Sequence, residues 1–116
     1  MQDTLTLAHQ IAQLAAEKLA TEITILDMRE VASYTDYFVV CTARNPRNAQ
    51  AIAEELRLAM KERHGVPARR IDGQREAHWI LMDYLDVIVH IFTPDTRSYY
   101  DLDRLWGQVP QERLAS

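Results

Sequence analysis

The stretch HWILMDYLDVIVHIF, His78 to Phe92, decides how this chain is read. It is the most hydrophobic part of the sequence, yet it carries Asp83, Asp86 and His90. Side chains alternate between the two faces of a strand. Two strands, HWILMD and DVIVHIF, joined through Tyr84-Leu85 as a two-residue turn, place Asp83 opposite Asp86, Met82 opposite Val87, Ile80 opposite Val89 and Trp79 opposite His90. One face then holds Ile80, Met82, Val87, Val89 and Ile91, with no polar side-chain atom among them. The other holds Trp79, Leu81, Asp83, Asp86, Ile88, His90 and Phe92. The first face is core and the second is mixed. Carboxylates directly across two strands repel by up to about 1 kcal/mol. Tyr-Leu also suits a tight hairpin turn poorly, since such turns favour Gly or Asn. A longer loop would lift the acids off the sheet.

Working outward, YFVVCT (Tyr37–Thr42) is β-branched and aromatic, a buried strand by composition. ITILDM (Ile23–Met28) is a second short strand, and PARRIDG a third near a sheet edge, given Pro67 and its arginines. From Asp3 to about Ala20, Leu7, Ile11, Leu14, Ala15 and Leu19 recur at helical spacing, with Asp3 or Thr4 as cap. Asn45-Pro46 opens another helix, whose Ala49, Ile52, Ala53, Leu56, Ala59 and Met60 form one stripe, and Gly65 stands where a left-handed C-cap belongs. TPDTRSYYDLDRLWG predicts a last helix, capped by Thr93, with Pro94 in its first turn and Gly107 ending it. Tyr99, Leu102 and Trp106 share its inner face, and Tyr100 points away from them. The end QVPQERLAS is expected to fray. The order predicts a single layered α/β domain, a mixed sheet of about five strands flanked by helices, over residues 1–107, with a C-terminal tail at 108–116.

A chain of 116 residues fits one domain with its own core. The net charge is −4, from 13 Lys and Arg against 17 Asp and Glu. Such a chain gains little from counterion release on a phosphate backbone, which disfavours broad nucleic-acid binding and suits a basic protein partner better. The same modest charge also serves solubility alone. Cys41 is the single cysteine, so no internal disulfide forms, and within YFVVCT it reads as a buried thiol. The start MQDTLTLAHQ has no apolar signal segment, and no apolar run reaches the roughly 18–20 residues of a membrane span. A soluble protein without membrane association, cytoplasmic or else organellar after processing, is expected.

The chemistry-bearing residues form no strong catalytic pattern. Asp27, Asp83 and Asp86 could hold magnesium as in nucleotidyl transfer. That chemistry also wants a glycine-rich anion loop, and Gly65, Gly73 and Gly107 lie in no such pattern. Turn acids are the simpler reading. His90 with Ser33 and an aspartate could form a hydrolase triad, but no nucleophile elbow surrounds Ser33, and a packed histidine is the simpler account. His9, His64 and His78 lack ligand spacing with Cys41. Ser33, Thr35 and Asp36 suit side-chain bonds that fix a loop. Arg44 and Arg47 flank a helix start and either attract an anion or stay solvated. No cofactor and no metal are expected.

Taken together, Leu26, Asp27, Ser33, TDYFVVCT, Arg47, AIAEEL, the Gly73 turn, WILMDYLDVIVHIF and RSYYDLDRLW, in this order and spacing, resemble the ribosomal silencing factor (Iojap) family over residues 5–106. The chain departs from the family pattern at Asp72, where the acid before Gly73 is usually Glu, and at Leu85, where a small turn residue is usual. It departs again at Ala43-Arg44-Asn45, which replaces Gly-x-Ser. The resemblance implies a fold related to nucleotidyltransferases without their catalytic apparatus, and a role without enzymatic activity or cofactor. It implies binding to the large ribosomal subunit through ribosomal protein L-fourteen, a steric block to joining of the small subunit, and repression of translation when nutrients are short. On that reading Trp79 and Leu81 supply apolar contacts, Asp83 and Asp86 pair with Lys or Arg of the partner, and Tyr100 is a further contact candidate. Trp79 could instead pack in the core beneath the last helix. An exposed apolar face also makes a homodimer of the free protein plausible, and no sequence-specific nucleic-acid contact is expected. The competing readings are a large-subunit assembly factor and a magnesium-dependent nucleotidyltransferase using Asp27, Asp83 and Asp86.

Overall fold

The computed structural model describes residues 3–100 and 107–114, Tyr100 for its backbone alone. The elements run α1 (Thr4–Glu17), β1 (Thr21–Asp27), β2 (Tyr37–Thr42), α2 (Pro46–His64), β3 (Arg70–Asp72), β4 (Trp79–Asp83), β5 (Val87–Phe92), α3 (Pro94–Tyr100) and β6 (Gln111–Arg113). Helix starts follow their capping chemistry. Asp3 accepts from the Thr6 backbone N–H ahead of α1, and Asn45 accepts from Asn48 N–H at 2.7 Å ahead of Pro46. Gly65 ends α2 at φ 69°, and the N–H groups of Gly65 and Val66 return to the carbonyls of Lys61 and Met60.

The described strands form one mixed sheet in the order β3-β4-β5-β2-β1-β6. Strands β2 and β5 pair in parallel and every other neighbour antiparallel. The core lies between one sheet face and the α1/α2 layer, where Ile25, Val39, Ile80, Met82, Val87, Val89 and Ile91 meet Ile11, Ile52, Leu56 and Met60. On the opposite face Leu26, Met28, Phe38, Val40 and Phe92 form a smaller cluster, with Trp79, Ile88, Ala32 and Val109 against it. Helix α3 packs on β5. Its Arg97, only 7% exposed, donates to the Glu22 carbonyl at 2.8 Å and to Thr42 Oγ1 at 3.0 Å. The register of β1 shifts between Thr21 and Thr24, with Glu22 at φ 49°, and Glu22 is the residue whose carbonyl takes that guanidinium.

Four expectations from the sequence need correction. The tail expected to fray supplies the sixth strand: Gln111, Glu112 and Arg113 pair with Leu26, Ile25 and Thr24. Glu112 is also held by His9 of α1 at 2.9 Å. Leu19 is no core residue, because α1 stops at Glu17 and Leu19 turns out at φ 70° with 62% exposure. Tyr99 does not face inward; it is 82% exposed. Leu102, Trp106 and the Tyr100 side chain lie outside the described residues. The last correction is the hairpin register.

Candidate docking surface

Strands β4 and β5 pair Asp83 with Ile88, Met82 with Val89, Leu81 with His90, Ile80 with Ile91 and Trp79 with Phe92. This is a shift of two residues from the tight-turn register. A shift of two preserves the faces, since side chains alternate with period two. Ile80, Met82, Val87, Val89 and Ile91 are therefore all fully buried on the helix side. What changes is the turn, which slides one residue to Leu85-Asp86, closed by the Tyr84–Val87 pair, so that the two acids no longer stand opposite each other.

The turn is built from polar bonds rather than from a glycine. Asp83 Oδ1 accepts the Leu85 N–H at 2.7 Å, and Tyr84 N–H returns to the Val87 carbonyl at 2.9 Å. Leu85 adopts φ 76° and is 52% exposed. The Asp86 carbonyl accepts from Thr35 Oγ1 at 2.9 Å and from the N–H groups of Asp36 and Tyr37 at 2.8 and 3.1 Å. Thr35 and Asp36 thus fix the loop before β2 as their residue types imply, Asp36 also accepting from Thr4 Oγ1 at 3.0 Å. Ser33 is exposed.

Trp79 is half-buried and its indole Nε1–H donates to His90 Nδ1 at 3.1 Å. The bond runs diagonally across the strand pair, because Phe92 rather than His90 stands opposite Trp79. The rings of Phe92 and His90 lie 5.1 and 5.9 Å from the indole, and Phe38 stands edge-on to His90 at 4.6 Å. Burial pushes the His90 pKa down to about 4, so the ring is neutral at physiological pH. Since Nδ1 accepts, the proton sits on Nε2, which is buried with no hydrogen-bond partner among the described residues. His90 is thus a clamp on the indole and a poor base.

Trp79, Leu81 and Asp83 share one face of β4 at alternate positions, all of them half-buried, and Asp86 is exposed at the turn. Ile88 adds a half-buried apolar side chain on β5. Across β3, Arg70 stands opposite Asp83 and Asp72 opposite Leu81, so both belong to this face. Tyr34, 61% exposed with its ring 6.4 Å from Phe38, extends the apolar surface from the loop before β2. Tyr34 and Arg97 are the residues that sequence reasoning missed. An aromatic in a polar loop and an arginine on a short helix carry no local signal of either role.

The three acids of the nucleotidyl-transfer reading are not brought together. Asp27 on β1 is three strand spacings from Asp83, roughly 14 Å at about 4.8 Å per strand. It is held by Arg29 at 2.7 and 2.9 Å, which keeps its carboxyl below the usual range. The Arg29 guanidinium also lies 5.4 Å over the Tyr37 ring. Among the described residues no three His, Cys, Asp or Glu side chains converge on a cation-sized site. The Cys41 thiol is fully buried, with its pKa pushed up to about 12 by burial. Arg44 and Arg47 are exposed. Among the described residues no helix is long and apolar enough to cross a membrane.

The chain as a whole is similar to known proteins. The family described as ribosomal silencing factor during starvation matches residues 1–116. The ribosomal silencing factor RsfS of Halalkalibacterium halodurans is 36% identical over 110 residues, covering 91% of this chain and 93% of the relative. That of Bacillus subtilis is 40% identical over 94 residues, covering 81% and 79%. A crystal structure from Bacillus halodurans superposes with a TM-score of 0.81 at 33% identity, covering 95% of this chain and 99% of that one. On the match along its whole length, supported by these relatives and by the shared fold, the chain belongs to the ribosomal silencing factor family.

Proposed function

We propose that this protein docks on ribosomal protein L-fourteen of the large ribosomal subunit and, by occupying that surface, keeps the small subunit from joining, so that translation falls under nutrient limitation. The observation that carries the proposal is the half-exposed Trp79 held by His90 on a face shared with Leu81, Ile88 and Asp83. Interface energy concentrates in a few aromatic and charged anchors surrounded by residues that exclude water. An indole already fixed by a hydrogen bond loses little freedom when a partner covers it, so more of its burial appears as affinity. Asp83 and Asp86 at one end of the face supply charge complementary to a basic partner. A stable contact needs about 800 Å² from each side, an area that one sheet face with its adjoining loops can supply. Tyr100, the last residue of α3, is a further proposed contact. The action is steric, takes place where ribosomes are, and needs neither a bond-making step nor a cofactor.

Sedimentation through a sucrose gradient tests it. The protein is expected to travel with free large subunits and, in excess, to deplete reassociated ribosomes. Migration at the top of the gradient, or equal partition onto intact ribosomes, counts against it.

A further inference from the structure

Six of the 13 lysines and arginines of this acidic chain fall within 19 consecutive residues. Residues 57–75 carry six cationic side chains, Arg57, Lys61, Arg63, Arg69, Arg70 and Arg75, against Glu62 and Asp72. That segment holds +4, and with the flanking Glu54, Glu55 and Glu76 residues 54–76 hold +1 against −5 for the rest of the chain. In the fold the segment runs along the β3 edge of the molecule, from the C-terminal half of α2 through the connection at Arg69, beside Asp83, to the turn at Arg75, beside Gln50 and Trp79. Part of the charge is loosely spent inside the molecule, with Arg57 on Glu54 at 2.6 Å, Arg70 on Asp72 at 2.9 Å and Arg63 only 3.9 Å from Glu17. The side chains of Lys61, Arg69 and Arg75 are exposed and make no ion pair among the described residues.

This basic end adjoins the Trp79 face. Arg70 projects on the same side of the sheet as Asp83, and Arg75 lines one hollow together with Trp79, His78 and Thr96. It is nevertheless a different kind of surface. Protein interfaces are anchored by exposed aromatic and large apolar side chains. Of the large hydrophobic residues exposed among the described residues, only Leu58, at 39%, lies in the segment. Five of its six cations are arginines, whose planar fork matches phosphate oxygens.

We infer that this basic end docks on the phosphate backbone of RNA, beside the protein partner that the Trp79 face engages. The inference rests on the reading that the chain binds the large ribosomal subunit, a particle in which RNA borders protein. The contact is independent of sequence, since nothing at this end is shaped to read bases. It divides the work, with the acid-flanked apolar face choosing the protein and the arginines adding salt-dependent attraction.

The test compares the full chain with the triple variant K61Q/R69Q/R75Q on three probes: purified large subunits, isolated ribosomal protein L-fourteen, and a short RNA duplex of arbitrary sequence. Releasing counterions from three phosphates gives a slope of log affinity against log salt of about −2.1 to −2.7, roughly a 20- to 40-fold loss between 50 and 200 mM. The variant is expected to bind large subunits with a slope shallower by about that amount, to lose the RNA duplex, and to bind L-fourteen as the parent does. Unchanged binding to large subunits, or an equal loss on isolated L-fourteen, overturns the inference, the latter by making the basic end a protein contact. If the parent chain fails to bind large subunits, the proposed function falls, and the duplex arm then decides alone. Salt-dependent binding that the variant lacks sustains the phosphate contact, and absence of binding by the parent overturns it.

Discussion

Trp79 and His90 are joined by a 3.1 Å hydrogen bond in which the indole donates, and this fixes the ring's tautomer while burial keeps it neutral. Protonation of His90 would turn the accepting nitrogen into a donor and place a cation against Trp79, Phe38 and Phe92. The native ring, with its pKa near 4, refuses a proton that the unfolded ring takes up at an ordinary value of 6.5. Stability is therefore lost as pH falls from about 6.5 to about 4, by up to about 3 kcal/mol. His90→Phe should flatten urea-unfolding stability across that window relative to the parent. A parallel pH dependence in both proteins would show that His90 does not titrate on unfolding.

Leu85 sits in the left-handed region at φ 76°, where a β-carbon is strained by about 1 kcal/mol. Leu85→Gly should raise the urea midpoint by the equivalent of about that energy, with an unchanged slope. A fall in the midpoint would mean that the exposed leucine contributes packing that outweighs its backbone strain.

Gly73 acts on Trp79 through the backbone. A β-carbon there would stand 2.2 Å from the Trp79 carbonyl oxygen, and φ is 86°. Gly73→Ala should cost about 3 kcal/mol and shift the tryptophan emission. A variant as stable as the parent would place this turn farther from β4.

Arg97 ties α3 to the sheet through the Glu22 carbonyl and Thr42 Oγ1. Arg97→Met leaves both acceptors without that donor and should cost about 2–3 kcal/mol. Faster amide exchange in residues 94–99 is expected to accompany the loss. Arg97→Lys should not restore protection, because both bonds leave Nη1, which lies one bond farther along the side chain than a lysine ammonium reaches. Full rescue by lysine would reduce Arg97 to a point charge.

Much of this fold is written in side-chain periodicity. The buried stripe of α2 and the core face of the hairpin follow from it, and the latter survives a register error of two because alternation does not see it. Strand β6 is invisible to the same reasoning. All three of its residues are exposed, and what makes it a strand is backbone pairing with β1. Leu19 misled because helical spacing continues past the point where the chain leaves the helix. At the candidate site, Trp79 and His90 were legible as neighbours and Asp83 and Asp86 as turn acids. The direction of the hydrogen bond and the contribution of Tyr34 depend on tertiary placement, which spacing does not encode.

The most direct measurement is light scattering of large and small subunits mixed in the presence of the parent protein, Trp79→Ala or Asp83→Lys/Asp86→Lys, each verified as folded by circular dichroism. The account predicts that the parent suppresses joining, and that each variant needs roughly 30-fold more protein to do so, the loss of a 2 kcal/mol anchor. Joining unaffected by the parent, or suppressed equally by folded variants, would contradict it.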